Sequence, residues 1–202
     1  MERAVKERRL EELAGEIVLC RDCGLCDERK NPVLGEGDPD SPVVFVGEAP
    51  GREEDKQGRP FVGSAGKLLD RLLEHVDLRR ENIFITNILK CRPPGNRRPK
   101  SAEIRSCSRH LEELLESIAP RIIVPMGDSA LGYFMKRFGR AKVKISEAQG
   151  KKFFVDAPWG RVVVFPLYHP AAVLYNRRLE EEMERDLGRL KGILETKGRA
   201  SC

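Results

Sequence analysis

The sequence predicts an α/β fold built on a largely parallel sheet, and three observations predict it. Short apolar runs alternate along the chain with longer segments of helical periodicity. The glycine- and proline-rich loops follow the apolar runs, where ligand loops of parallel sheets lie. The 202 residues contain no internal repeat and no low-complexity linker, so a single domain spanning 1–202 is expected.

Each element has its own signal. Val5, Leu10, Leu13, Ile17 and Val18 stand among charges at near-helical spacing, which predicts an amphipathic helix over 2–19. It runs into Cys20-Arg-Asp-Cys23-Gly-Leu-Cys26, and 27–42 reads as loop from its Asn-Pro, Asp-Pro and glycines. Val43–Val46 is a short buried strand that stops at Gly47-Glu-Ala-Pro-Gly51. A polar loop is expected over 52–63, with Ser64 capping a helix that runs to about His75. Asn82–Leu89 reads as a second strand, followed by the Pro-, Gly- and Arg-rich loop 91–100. Ser101 is the cap candidate of a helix to Ile118, with no capping box because position 104 is Ile. Arg121–Met126 reads as a third strand and Gly127–Phe138 as a helix. Lys152–Asp156 and Arg161–Phe165 read as two further strands around a Pro158-Trp159-Gly160 turn, 166–170 is loop, and 177–196 is a charged terminal helix. The loops 47–63, 87–100 and 166–170 should therefore meet at one rim of the sheet.

Composition excludes some classes. Apolar residues make up 40% and charged residues 34%, so the chain can fold with a heavily charged surface. No apolar run approaches the ~18 residues of a spanning helix. The charged start, MERAVKERRLEELAGE, lacks the apolar core of a signal peptide, so a cytoplasmic location is expected. The net charge of +5 allows a nucleic-acid partner without demanding one. High charge with only five Asn and two Gln resembles thermophile composition.

Six cysteines stand at 20, 23, 26, 91, 107 and 202. Cys20 and Cys23 form a C-x2-C pair able to bite one metal centre, and Cys91 and Cys107 can complete a four-thiolate site if the fold closes it. Spacing leaves zinc and iron–sulfur both open. Cys26 and Cys202 read as plain thiols. The small residues of Gly47–Gly51 let backbone N–H groups approach a ligand, although this is neither a dinucleotide fingerprint nor a phosphate loop. Phe61, between proline and glycines, can stack on a base. Asn87 at a strand end offers a donor and an acceptor to one nucleobase edge. His169 at the rim can donate to a developing anion. Glu53 and Asp55 read as solvated charges, and His75 and His110 as structural or exposed.

Taken in order, Gly47-Glu-Ala-Pro-Gly51, Gly58-Arg-Pro-Phe-Val-Gly63, Thr86-Asn-Ile-Leu-Lys-Cys91-Arg-Pro-Pro94, Ile123-Val-Pro-Met-Gly127 and His169-Pro-Ala171 resemble the family 4 uracil-DNA glycosylases. The match runs from Cys20 to the terminal helix. The resemblance implies a three-layer α/β/α sandwich with a central, mainly parallel four-stranded sheet. It implies a structural [4Fe–4S] cluster on Cys20, Cys23, Cys91 and Cys107. It implies that uracil is flipped from single- or double-stranded DNA and its N-glycosidic bond hydrolysed. Gly47, Glu48, Ala49, Phe61, Asn87 and His169 would then hold the base, with His169, Glu54 and Asn87 catalytic. Ala49 stands where other branches place an aspartate, which leaves Glu48 or Glu54 to orient water. Glu54 is favoured as a pocket residue that either positions water or crowds the C5 methyl of thymine. Arg92, Arg97, Arg98 and Lys100 are the expected phosphate contacts. Ala171, Ala172 and Leu174 are candidates to wedge into the gap left by the base, and Val173 and Leu174 could equally be core. A monomer is expected, with no clear sliding-clamp motif. The competing readings are a cysteine-metal nucleic-acid binding module without catalysis and a glycosylase for a broader set of deaminated bases.

Overall fold

The computed structural model describes residues 1–198, so Cys202 lies outside the described residues. One six-stranded sheet forms the centre. In chain order its strands are β1 (Glu36–Gly37), β2 (Val43–Gly47), β3 (Phe84–Asn87), β4 (Ile122–Pro125), β5 (Phe153–Ala157) and β6 (Gly160–Val164). Their spatial order is β1-β3-β2-β4-β6-β5. The four central strands are mutually parallel, while β1 and β5 pair antiparallel at the two edges.

The expected four-stranded sheet is thus corrected to six strands. The β5–β6 hairpin joins the parallel strands as one continuous sheet. The two-residue β1 is too short to carry a periodic signal. It packs so closely on β3 that a Cβ at Gly37 would lie 1.8 Å from the Ile83 carbonyl oxygen.

Helices cover both faces: α1 (Arg3–Leu19), α2 (Arg52–Gln57), α3 (Ser64–His75), α4 (Ser101–Ile118), α5 (Gly127–Arg137), α6 (Ile145–Ala148), α7 (Pro170–Val173) and α8 (Arg177–Gly198). Alternation along β2 sorts the core. Val44 and Val46 pack with Leu13 and Ile17 of α1, Leu111 and Leu115 of α4 and Phe134 of α5. Val43 and Phe45 face the other way, onto Leu69 and Leu73 of α3 and Met183 and Leu187 of α8. Each such side chain, fully removed from water, contributes about 1.5–3 kcal/mol.

Three local expectations are corrected. The segment expected as polar loop contains α2, whose sequence Arg-Glu-Glu-Asp-Lys-Gln has no apolar periodicity to reveal it. It is held by three acidic residues in its first turn and by Gly58, in the left-handed region at φ 69°. Ser64 does not cap α3; Gly63 is the N-cap. Ser101 does not cap α4 either. Its N-cap is Lys100, whose backbone N–H donates to Glu103 Oε2 at 2.7 Å, so half of a capping box is present after all.

β3 is shorter than the expected 82–89 because the chain turns at its end. Ile88 N–H donates to the Gly47 carbonyl at 3.0 Å and Leu89 N–H to the Glu48 carbonyl at 3.1 Å. A parallel bridge between Met126 and Leu167 carries the β6 exit loop alongside the end of β4. The carboxyl ends of β2, β3, β4 and β6 therefore open on one rim.

Candidate active site and cysteine centre

The three loops expected at the rim do meet there. They line a cleft of about 1540 Å³, open mouth included, bounded by Glu48–Glu54, Phe61, Asn87, Pro93, Asn96–Arg98 and His169 with Ala171 and Ala172. At its floor, Gly47 and Asn87 are register partners on neighbouring strands. A Cβ on residue 47 would lie 2.3 Å from Asn87 Oδ1 and 2.6 Å from Phe61 Cζ. Glycine is required here to leave a slot between the amide and the ring. Asn87 is 2% exposed, yet its Oδ1 has no hydrogen-bond partner. Such an orphan costs about 1–3 kcal/mol unless something fills it.

The Phe61 and His169 rings lie 5.7 Å apart at a 35° angle. His169 is the N-cap of α7, and its Nδ1 accepts the Ala171 backbone N–H at 3.1 Å. That bond assigns the neutral tautomer with its proton on Nε2. Burial lowers the imidazole pKa below its ordinary value, against an opposing pull from the charges of Glu48 and Glu54. The ring is thus a neutral donor at pH 7, and the Glu48 carboxylate stands close enough for its charge to be felt.

Glu54 also reaches the rim, but its Oε1 accepts the backbone N–H groups of Val62 (3.0 Å) and Gly63 (2.9 Å). Glu53 is partly exposed and paired with Lys56, in keeping with a solvated charge. Asp55 corrects the same expectation. It is 3% exposed and accepts the Lys30 backbone N–H at 2.9 Å.

The cysteines gather at a second cavity, of about 340 Å³, beyond the end of β3. Cys20 ends α1, Cys23 precedes a 3-10 turn over Gly24–Cys26, Cys91 follows β3 and Cys107 lies on α4. Leu25, Arg29 and His110 complete the wall, and Cys26 joins it with its thiol on Asp27 Oδ1 at 3.4 Å. Arg29 Nη1 donates to Cys91 Sγ at 3.1 Å, and the Lys90 backbone N–H donates to Cys107 Sγ at 3.3 Å. Burial pushes the Cys91 thiol up and that of Cys107 to about 11. A metal binds cysteine as thiolate, so its binding here would release these protons. Four thiols converging from four segments, two of them already met by N–H donors, fit an iron–sulfur or zinc centre, with Asp22 and His110 beside Cys20.

One residue in particular, Lys90, escaped the sequence reading. Lys90 is 1% exposed, and its Nζ donates to Thr86 Oγ1 (2.6 Å), the Asn87 carbonyl (2.9 Å) and the Leu34 carbonyl (3.2 Å). Burial lowers its pKa to about 8. His110, expected to be structural or exposed, is 1% exposed at the cysteine cavity with both ring nitrogens unpartnered. His75 is exposed and meets Glu184.

In the basic loop, Arg98 and Lys100 are exposed, while Arg97 forks onto both oxygens of Glu103 and Arg92 Nε donates to Asn96 Oδ1 at 2.6 Å. After His169, Leu174 is half-buried and packs against the cluster shared by α3 and α8. Tyr175 next to it is 94% exposed. No helix among the described residues is long and apolar enough to cross a membrane.

Comparison with known proteins agrees with this geometry. Residues 34–190 match the profile of the Uracil DNA glycosylase superfamily. Over 182 residues the chain is 46% identical to the type-4 uracil-DNA glycosylase of Archaeoglobus fulgidus, covering 90% of this chain and 91% of that one. It is 42% identical over 185 residues to the type-4 enzyme of Sulfurisphaera tokodaii, covering 91% and 84%. With the type-4 enzyme of Thermotoga maritima it shares 40% identity over 195 residues, covering 96% and 98%.

Proposed function

Because the chain belongs to the uracil-DNA glycosylase superfamily, in its type-4 branch, we propose that the cleft receives a uracil flipped out of DNA and drives hydrolysis of its N-glycosidic bond. The enzyme is a uracil-DNA glycosylase of DNA repair, and its substrate is uracil-containing DNA. One observation carries the assignment of the site: the buried, unpartnered Asn87 Oδ1 in the cleft that Phe61 and His169 also line.

Uracil presents N3–H and O4 on its pairing edge. Asn87 Oδ1 accepts the first and its Nδ2 donates to the second, whereas cytosine offers an acceptor and a donor in the reverse order. Phe61 stacks on the extruded base, and backbone groups of Gly47–Ala49 border it. Flipping costs a few kcal/mol, least at a mismatch or in a single strand. As the glycosidic bond lengthens, the sugar becomes oxocarbenium-like and negative charge collects on uracil. His169 Nε2–H donates to O2 and stabilises that anion, a contribution of about 3–4 kcal/mol for a preorganised donor. Because the imidazole is neutral, it keeps its proton and releases uracil as an anion.

Glu54 is favoured as the pocket carboxylate by sequence, but one of its oxygens is committed to the Phe61 loop. We assign it to shaping the pocket, and Glu48 to orienting the attacking water. Cys20, Cys23, Cys91 and Cys107 would hold a [4Fe–4S] cluster, which when bound supplies the metal–thiolate bonds that staple α1 and α4 to the end of β3. That staple sets the loop 92–100 against the DNA face. Arg98 and Lys100 contact phosphates, with Arg92 beside them, while Arg97 acts chiefly through Glu103.

The test is anaerobically purified protein on a labelled oligonucleotide with one uracil, developed with alkali beside a thymine control. Strand breaks at uracil alone, lost in His169→Ala and Asn87→Ala while DNA binding persists, are the expected result. Unchanged cleavage by those variants would overturn the site, and no cleavage by cluster-loaded protein that binds DNA would favour the binding-module reading.

A further inference from the structure

We infer that Arg80, which lies outside the cleft, is a positioning residue that clamps the backbone of the Phe61 turn and so aims the aromatic ring at the base. The inference rests on the stacking role proposed for Phe61. Its observations are independent of that role.

Phe61 is a non-glycine residue at φ 51°, in the left-handed region that L residues rarely adopt. A bulky residue persists there only where its surroundings over-determine it. Two side chains do so, one from each side. Arg80 Nη1 donates to the Phe61 carbonyl at 3.1 Å, and Nη2 donates to the Pro60 carbonyl. Glu54 Oε1 accepts the N–H groups of Val62 and Gly63. Four consecutive residues thus have a backbone group taken by a side chain, two carbonyls by a cation and two N–H groups by an anion. The turn also rests on α3, where a Cβ at Gly66 would lie 1.8 Å from the Phe61 oxygen.

Arg80 is itself held. Its Nε donates to Glu36 Oε1 at 2.7 Å, and its Nη1 to Asp70 Oδ1 at 2.8 Å. It opens the 3-10 turn Arg80–Asn82, directly before β3, and β3 ends in Asn87. One short segment, the turn and the strand that follows it, therefore carries both the residue that fixes the stacking platform and the residue that reads the base edge. The guanidinium fork makes this possible. It meets two carbonyls and two carboxylates in one plane, which a lysine ammonium has no geometry to span. Arg59 shares Glu36, at 2.7 Å, but donates to neither carbonyl and so serves as a control.

The experiment uses the cluster-loaded full chain and compares Arg80→Ala, Arg80→Lys, Arg59→Ala, Gly66→Ala and Phe61→Ala. Single-turnover uracil excision from a single-stranded oligonucleotide, inhibition by free uracil, binding to an abasic oligonucleotide and melting temperature are measured. Arg80→Ala should excise about 10–100-fold more slowly, the scale of a small misplacement of a reacting partner. Its inhibition by free uracil should weaken in step, while abasic-DNA binding holds. Arg80→Lys should not recover the rate, and millimolar guanidinium should partly restore Arg80→Ala alone. Gly66→Ala, which presses the same turn from the other side, should show the same pattern if it folds, and Arg59→Ala should remain close to the parent. Parent-like excision and uracil inhibition in folded Arg80→Ala would overturn the clamp, as would full recovery on cooling, which marks a purely structural role. Parent-like excision in Phe61→Ala would overturn the stacking role and the clamp's purpose with it. Loss in Phe61→Ala without loss in Arg80→Ala would overturn the clamp alone.

Discussion

Replacing Gly47 by alanine should close the base slot. The added methyl would lie 2.3 Å from Asn87 Oδ1 and 2.6 and 2.9 Å from two Phe61 ring carbons. Comfortable contact begins near ~3.5 Å, so each wall must retreat by about 1 Å. Neither wall has open space to retreat into: Asn87 is 2% exposed, and the Phe61 turn is held by Glu54 and Arg80. A 1 Å misplacement at a reacting centre costs about 10²-fold in rate. That corresponds to about 2.7 kcal/mol of barrier at 1.36 kcal/mol per decade. Overpacking also destabilises by about 1–3 kcal/mol, or roughly 2–4 °C of melting temperature per kcal/mol in a chain of this size. The assay is single-turnover excision from a uracil oligonucleotide, run well below the melting temperature of the variant, with abasic-DNA binding as a control. A folded Gly47→Ala enzyme that excises within about threefold of the parent would refute this slot as the place where uracil sits.

His169→Ala should lower the excision rate by about 10²–10³-fold with DNA binding intact. Because burial lowers the His169 pKa, the neutral donor persists below pH 6.5. Protonation of Nδ1 breaks its bond from Ala171, so the acid limb of the rate profile should fall below that value and vanish in the variant. The sign for stability follows from the same shift. The unfolded chain binds this proton more readily, so the contribution of His169 is whole above pH 6.5 and declines as pH falls below it, measurable by denaturant titration. Cys107→Ser should lose iron and visible absorbance, whereas Cys26→Ser should retain both; equal iron loss in the two would make Cys26 a ligand. Arg98→Ala and Lys100→Ala should each reduce the salt slope of DNA binding by about one. Arg97→Ala should in addition lower the melting temperature, because it strips the ion pair from Glu103 at the start of α4.

Much of this was legible because its signal is local. The helix boundaries Ser64–His75 and Ser101–Ile118 agree with the sequence reading, since apolar periodicity over several turns outweighs uncertainty at the caps. The caps themselves were misread at both helices. Ser64 and Ser101 are the obvious capping residues by type, but Gly63 and Lys100 occupy the N-cap positions. α2 leaves no signal in the sequence because its six charged and polar residues have no apolar face. Tyr175 carries no pattern that separates it from the neighbouring Leu174, yet one is 94% exposed and the other packs on the core.

By itself the sequence determined the α/β class, the parallel strands, the family and the side chains that converge on one rim. Each of these follows from spacing along the chain and from residue chemistry. Only the tertiary structure decided how those side chains are aimed. Arg80 meets the Phe61 carbonyl across 19 positions, Lys90 meets Leu34 across 56, and Arg29 meets Cys91 across 62. Such pairings leave no periodic trace, because hydrogen bonds from long side chains to backbone depend on where the closed chain places each group. The same holds for Glu54: the charge is readable at its position, but its commitment to two N–H groups exists only once α2 and α3 are folded against each other.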